Sequence, residues 1–250
     1  MKNASVCSLV LVLTFTVIAR ATTWGKPVPV PDPVRQGSTC DVSHPLSSGS
    51  YIYQWPSKYD QVFWPLTDPK GIWFCQQSGF AAFIDDFELT ANERAAVAAE
   101  LASYEPTQSP SLRDKLVLLQ RSYAARNPDV RMKIRLLRVL AYYYETELGD
   151  LPGASAFRRQ ALGMIEAALA RELPEGDRLE YLFVSAAYYR EFGNLGKSRT
   201  TVGLLERSLK VSKDEELKDF VEYLTELRND IDKIVPGGAL IPDQGRPEEP

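Results

Sequence analysis

The side chains able to do chemistry beyond packing are few in this chain. Cysteine occurs three times, as Cys7, Cys40 and Cys75, and histidine once, as His44. A single histidine excludes every multi-histidine metal site and leaves one candidate for a Ser-His-Asp arrangement. His44 precedes Pro45 in a turn-rich stretch, so it reads as an exposed loop side chain. Carboxylates stand close together at Asp85 and Asp86, at Glu145 and Glu147, and at Glu215 and Glu216. Glycoside hydrolysis requires two of them about 5–10 Å apart with one pKa raised, and sequence spacing singles out no such pair. Asp86 is expected to accept backbone hydrogen bonds where the helical region begins. The rings of Tyr51, Tyr53, Trp55, Trp64 and Trp73 suit either a sugar-stacking platform or the core of a small domain. Core filling is the preferred reading, because large rings bury the most surface per residue. No catalytic residue, cofactor or metal site is assigned on these grounds.

The elements that position these residues begin with a targeting segment. Residues 1–21 read as a secretory signal peptide: Lys2 at the start, an uncharged run from Val6 to Ile18, then Ala19-Arg20-Ala21 as a small-x-small cleavage site. The run is shorter than the roughly 20 apolar residues of a membrane helix, so no stable membrane span is expected after cleavage. Residues 22–37 contain KPVPVPDPV, whose prolines fix φ and remove donors, and read as an extended arm. Residues 38–88 mix aromatics with Gly, Pro, Ser and Asp; YIYQW and GIWFC within them look like strands between turns. A unit of about 50 residues is marginal alone and needs a staple or a neighbour. The net charge of -4 gives no basic face for nucleic acid.

Residues 89–235 carry helical signals. Thr90 with Glu93 forms a capping-box pattern, and Ser212 with Glu215 a second. Asn127-Pro128 reads as a cap followed by proline in the first turn. Two segments, AYYYETELGDLPGAS and SAAYYREFGNLGKS, align with Gly149 opposite Gly193. Glycine there allows a left-handed helix end and an antiparallel return. The unit is similar to tetratricopeptide (TPR) repeats, although its spacing is longer than their usual period of about 34 residues. Stacked hairpins leave a concave face, which helices over 129–148 and 175–192 would line. Leu137, Ala141, Leu182 and Ala186 are expected in the core, leaving Arg135, Arg138, Tyr142, Tyr181, Ser185 and Tyr188 for a partner. Residues 236–250 are expected to be a disordered tail.

Cys40-x-x-Ser43, Cys75-x-x-Ser78 and the run Gly79-Phe80-Ala81-Ala82-Phe83-x-x-Asp86-Phe87 together resemble an uncharacterised bacterial domain family. That family opens with two Cys-x-x-Cys knuckles of zinc-ribbon type and continues into a TPR-like helical region. Here the second cysteine of each knuckle is serine, and a tetrahedral zinc site needs four ligands; His44 could supply one, which still leaves the set incomplete. In a ribbon the knuckles face each other, so the resemblance implies a disulfide between Cys40 and Cys75 in an exported chain; free thiols and a metal site are the alternatives. The resulting expectation is a mainly α protein, with a small strand-and-loop module beside a TPR-like stack. Its expected role is non-catalytic binding of a protein or peptide in the bacterial envelope, periplasmic or secreted. A hydrolase or glycan-binding protein using the aromatic module is the alternative. Intact-mass analysis of the protein from its native host should give a mature N-terminus at Thr22; a retained Met1 would exclude export by this route.

Overall fold

The computed structural model describes residues 23–47, 58–107 and 109–240. Proline shapes the N-terminal part. The stretch expected as an extended arm is built into two of three short antiparallel strand pairs. β1 (Thr23–Trp24) pairs with β4 (Pro45–Ser47), and β2 (Val28–Pro31) with β3 (Thr39–Val42), Val30 lying opposite Cys40. Alternating proline still permits pairing on one side of β2, because only the outward-facing positions lack a donor. β5 (Ile72–Phe74) pairs with β6 (Ala81–Phe83), which places the expected GIWFC strand. The expected YIYQW strand lies outside the described residues. Cys40 and Cys75 are joined by a disulfide that ties β3 to the end of β5. Asp32, the other potential metal ligand grouped with these two cysteines, accepts from Val34 N–H, Arg35 N–H and the Ser38 hydroxyl.

Seven α-helices follow among the described residues: α1 (Ala91–Glu100), α2 (Leu112–Arg126), α3 (Val130–Thr146), α4 (Leu151–Leu169), α5 (Glu175–Glu191), α6 (Leu195–Val211) and α7 (Lys218–Leu227). None is long and apolar enough to cross a membrane. Thr90 and Glu93 form the expected capping box, and Ser111 with Asp114 forms another. Two expected caps differ. Asn127 ends α2 in the left-handed conformation, and Asp129 caps α3 by accepting from Met132 N–H. Ser212 ends α6, and Asp214 caps a 3-10 turn over Glu215–Leu217 that leads into α7. Gly149 and Gly193 have φ of 62° and 75°, the left-handed values that let α4 fold back on α3 and α6 on α5.

Two apolar cores result. One surrounds the disulfide, Phe80, Phe83, Tyr123 and Leu140; the other surrounds Tyr59, Ile165, Phe183 and Leu224. The tail expected to be disordered is packed as far as Leu240, which is 1% exposed. Gly237 N–H donates to Glu191 O at 2.7 Å. Residues 241–250 lie outside the described residues. The disulfide spans a sequence separation of 35, for which loop-closure entropy gives about 4 kcal/mol. Thermal melts with and without reductant should therefore differ by about 8–16 degrees; equal melts would show that the bond contributes nothing.

Candidate functional site

Residues 58–67 of the chain lie as a strap in a cleft lined by α3 and α5. Arg138 on α3 grips this strap by its main chain. Its Nε donates to Asp60 O and its Nη2 to Gln61 O, both at 2.6 Å, while Nη2 also bonds Glu180 on α5. Tyr142 Oη donates to Thr67 O at 3.2 Å. The ring of Tyr59 stacks on Phe183, its hydroxyl donates to Asp230 O, and Lys58 pairs with the Asp230 carboxylate at 2.6 Å.

Asp60 anchors the strap. Arg158 on α4 meets its carboxylate with two parallel bonds, Nε to Oδ1 at 3.0 Å and Nη2 to Oδ2 at 2.8 Å, and Tyr188 Oη donates to Oδ1 at 2.6 Å. Arg158 also reaches Glu145 Oε2 at 2.6 Å and Glu191 Oε1 at 3.5 Å. Glu145 Oε2 accepts Leu240 N–H as well, and Glu191 Oε1 accepts the Ser155 hydroxyl. Three buried carboxylates thus converge on one guanidinium. Burial, with Asp60 and Glu145 nearby, raises the Glu191 pKa despite Arg158. Burial and Asp60 likewise push the Tyr188 phenol well up. Every one of these carboxylates is closed off from solvent, so the cluster fixes structure and offers no open acid–base pair.

Five of the six residues expected to face a partner are therefore inside. Arg138, Tyr142, Tyr181, Ser185 and Tyr188 are buried. Arg138, Tyr142 and Tyr188 hold the strap, and the Ser185 hydroxyl bonds Leu182 O within its own helix. These side chains were expected to be free for a partner, but they are taken up by contacts within the same chain. Arg135 is partly exposed, pairs with Asp85 at 2.7 Å and lies over the Phe83 ring. Asp86 receives side-chain bonds from Arg126 and Tyr123 rather than the expected backbone donors. His44 is exposed and packs edge-on to Trp73. Arg158 was missed although a signal existed: Ala154, Arg158, Ala161 and Ile165 recur at the spacing of one buried helical stripe. Asp60 carries no comparable sequence signal.

Beyond the strap the cleft remains open as a cavity of about 450 Å³. Phe63 and Trp64 of the strap line it, with Arg131, Met132 and Arg135 on α3 and Tyr181 on α5. Arg131 is mostly exposed and pairs with Asp177 at 2.9 Å. In the same wall, Trp64 Nε1 and Gln61 Oε1 are covered and have no hydrogen-bond partner among the described residues. No family model, curated protein or solved structure that was compared with the chain matches it.

The ion cluster generates a prediction of opposite signs. Asp60→Ala leaves Nε and Nη2 of Arg158 and the Tyr188 hydroxyl buried without their acceptor and should cost about 3–5 kcal/mol. Glu191→Gln keeps an acceptor for Ser155 and removes a poorly tolerated charge. A carboxyl whose folded pKa is raised favours the fold at low pH and loses that contribution as pH rises through the raised value. Glu191→Gln should thus melt higher than the unsubstituted chain at about pH 8, with the gap closing towards about pH 4. Melts across that range check both; a Glu191→Gln variant that is less stable at high pH would refute the assignment.

Proposed function

We propose that this chain is an exported, non-catalytic scaffold of the bacterial envelope that binds a protein or peptide, its hairpins stacked in a TPR-like manner. The observation that carries this reading is the cleft itself. It grips a segment of two successive turns by main-chain carbonyls, through Arg138 and Tyr142, and it continues into an open cavity. Main-chain carbonyls are common to all peptides, so this is chemistry suited to peptide recognition. Arg131 and Arg135 each engage one carboxylate through Nη2, which leaves further N–H donors on both guanidinium groups for a ligand. Phe63, Trp64 and Met132 add apolar and aromatic surface, and arginine with aromatic side chains dominates the energetics of many interfaces.

The disulfide fits an oxidising compartment. Glycoside hydrolysis of the usual kind uses an accessible carboxylate pair, which Asp60, Glu145 and Glu191, closed over Arg158, do not offer. Panning a phage-displayed random-peptide library on the mature chain should enrich clones that bind it. Arg131→Ala with Arg135→Ala should weaken these clones about tenfold or more while leaving the melt within a few degrees. An absence of enriched clones, or clones indifferent to both substitutions, would overturn the cleft as the binding site.

A further inference from the structure

In an antiparallel ladder, opposed residues alternate between pairs that exchange hydrogen bonds and pairs whose N–H and C=O groups point outward. Bonds flanking each hairpin fix the alternation. Asp32 N–H donates to Ser38 O at 3.0 Å. In the β2–β3 register this makes Val30–Cys40 and Val28–Val42 the bonded pairs, so Thr39 and Asp41 turn their main-chain groups away from β2. Cys75 N–H donates to Phe80 O at 2.8 Å, and Ile84 N–H to Gly71 O at 3.0 Å. Trp73–Ala82 is then the bonded pair of β5–β6, and Ile72 and Phe74 turn their groups away from β6.

These two hairpins have four edges, and two are closed. Pro29 and Pro31 occupy the outward positions of β2 and have no N–H to offer. On β6 the outward N–H groups of Ala81 and Phe83 donate to Ser122 Oγ and Tyr123 Oη of α2, each at 3.3 Å. The edges of β3 and β5 have no such cover. Ile72 N–H returns to Pro69 O. Among the described residues, the outward groups of Thr39, Asp41 and Phe74 have no hydrogen-bond partner. Both open edges border one cavity of about 700 Å³, which meets every residue from Thr39 to Ser43 and from Ile72 to Phe74. Successive side chains on a strand point to opposite faces, so a space that meets all of them runs along the main chains. The disulfide and the bond from Trp73 Nε1 to Ser43 O, at 3.2 Å, hold the two edges together.

We infer that this cavity is a second peptide site, in which an extended segment of a partner adds to the β3 edge as a further strand. Its N–H and C=O groups satisfy those of Thr39 and Asp41, the recognition chemistry of strand addition. Lys70 and Lys115 line the same cavity and favour an acidic side chain within the segment. The surface is distinct from the helical cleft, and the two are separable by substitution. Proline at position 41 removes only the outward donor, since the ladder bonds belong to residues 40 and 42.

Clones from a random-peptide library retained by the unsubstituted chain should be re-screened on Asp41→Pro, Asp41→Ala and Arg135→Ala. An acid-containing class should weaken about tenfold or more on Asp41→Pro and bind Asp41→Ala and Arg135→Ala as before. One synthetic peptide of that class should also slow amide hydrogen exchange at Thr39 and Asp41 in the unsubstituted chain, a readout that does not rely on how the proline variant folds. Clones that bind Asp41→Pro and Asp41→Ala alike, or a peptide that leaves those amides unprotected, would overturn the inference. If clones depend on Arg135 and never on Asp41→Pro, the cleft stands and the strand-edge site falls. If nothing binds the unsubstituted chain, both fall.

Discussion

The two parallel bonds between Arg158 and the carboxylate of Asp60 are the contact on which the halves of the molecule close. Charges of this kind are expensive to remove from water, and the cost is offset only when each is fully coordinated. That condition recruits Tyr188 from α5, Glu145 from α3 and Leu240 from the C-terminal segment around one guanidinium. The strap that carries Asp60 also spans the two apolar cores. Tyr59 belongs to the core of the later helices, whereas Val62 and Leu66 belong to the core around the disulfide. The N-terminal module is thereby built into the helical body as well as packed on it.

The helices were legible because their signals are local. The Thr90–Glu93 box and the glycines at 149 and 193 act within a turn or two of themselves, and each sits where the sequence implied. The disulfide followed from a resemblance at Cys40 and Cys75 together with a leader-like start. The inward or outward sense of the arginines and tyrosines was not legible. Arg138 and Tyr188 occupy helical positions next to apolar ones, and a polar type there reads as surface by default. Their burial is decided by Asp60, a partner 78 and 128 residues away respectively, which no periodicity encodes. Proline misled in a similar way. Alternating Pro29 and Pro31 suggested an extended arm, but an edge strand needs donors on one side only, and the bonded side of β2 has them.

A cleft already occupied by its own chain changes what remains for function. The deep groups, Arg138, Tyr142 and Tyr188, position the strap, and the strap in turn supplies Phe63 and Trp64 to the wall of the open cavity. The surface left for recognition is therefore composite, half helix and half inserted segment. Its cationic side chains are steadied by carboxylates from other elements, Asp85 for Arg135 and Asp177 for Arg131. Such steadying lowers the entropy lost when an arginine is immobilised by a ligand.

The reach of the strap also governs the order in which the molecule can assemble. Lys58 and Tyr59 meet Asp230 across sequence separations of 172 and 171 residues, and Asp60 finds Arg158 across 98. Contacts this distant close large loops and slow folding relative to local ones. The early strands and the helical hairpins form from neighbours in sequence, but the cleft cannot lock until nearly the whole polypeptide is present. A chain emerging from its N-terminus must hold residues 58–67 unplaced until α4, α5 and the segment after α7 have followed. The last 3-10 turn, over Arg228–Lys233, carries Asp230, so the most distant contacts of the strap close only with it.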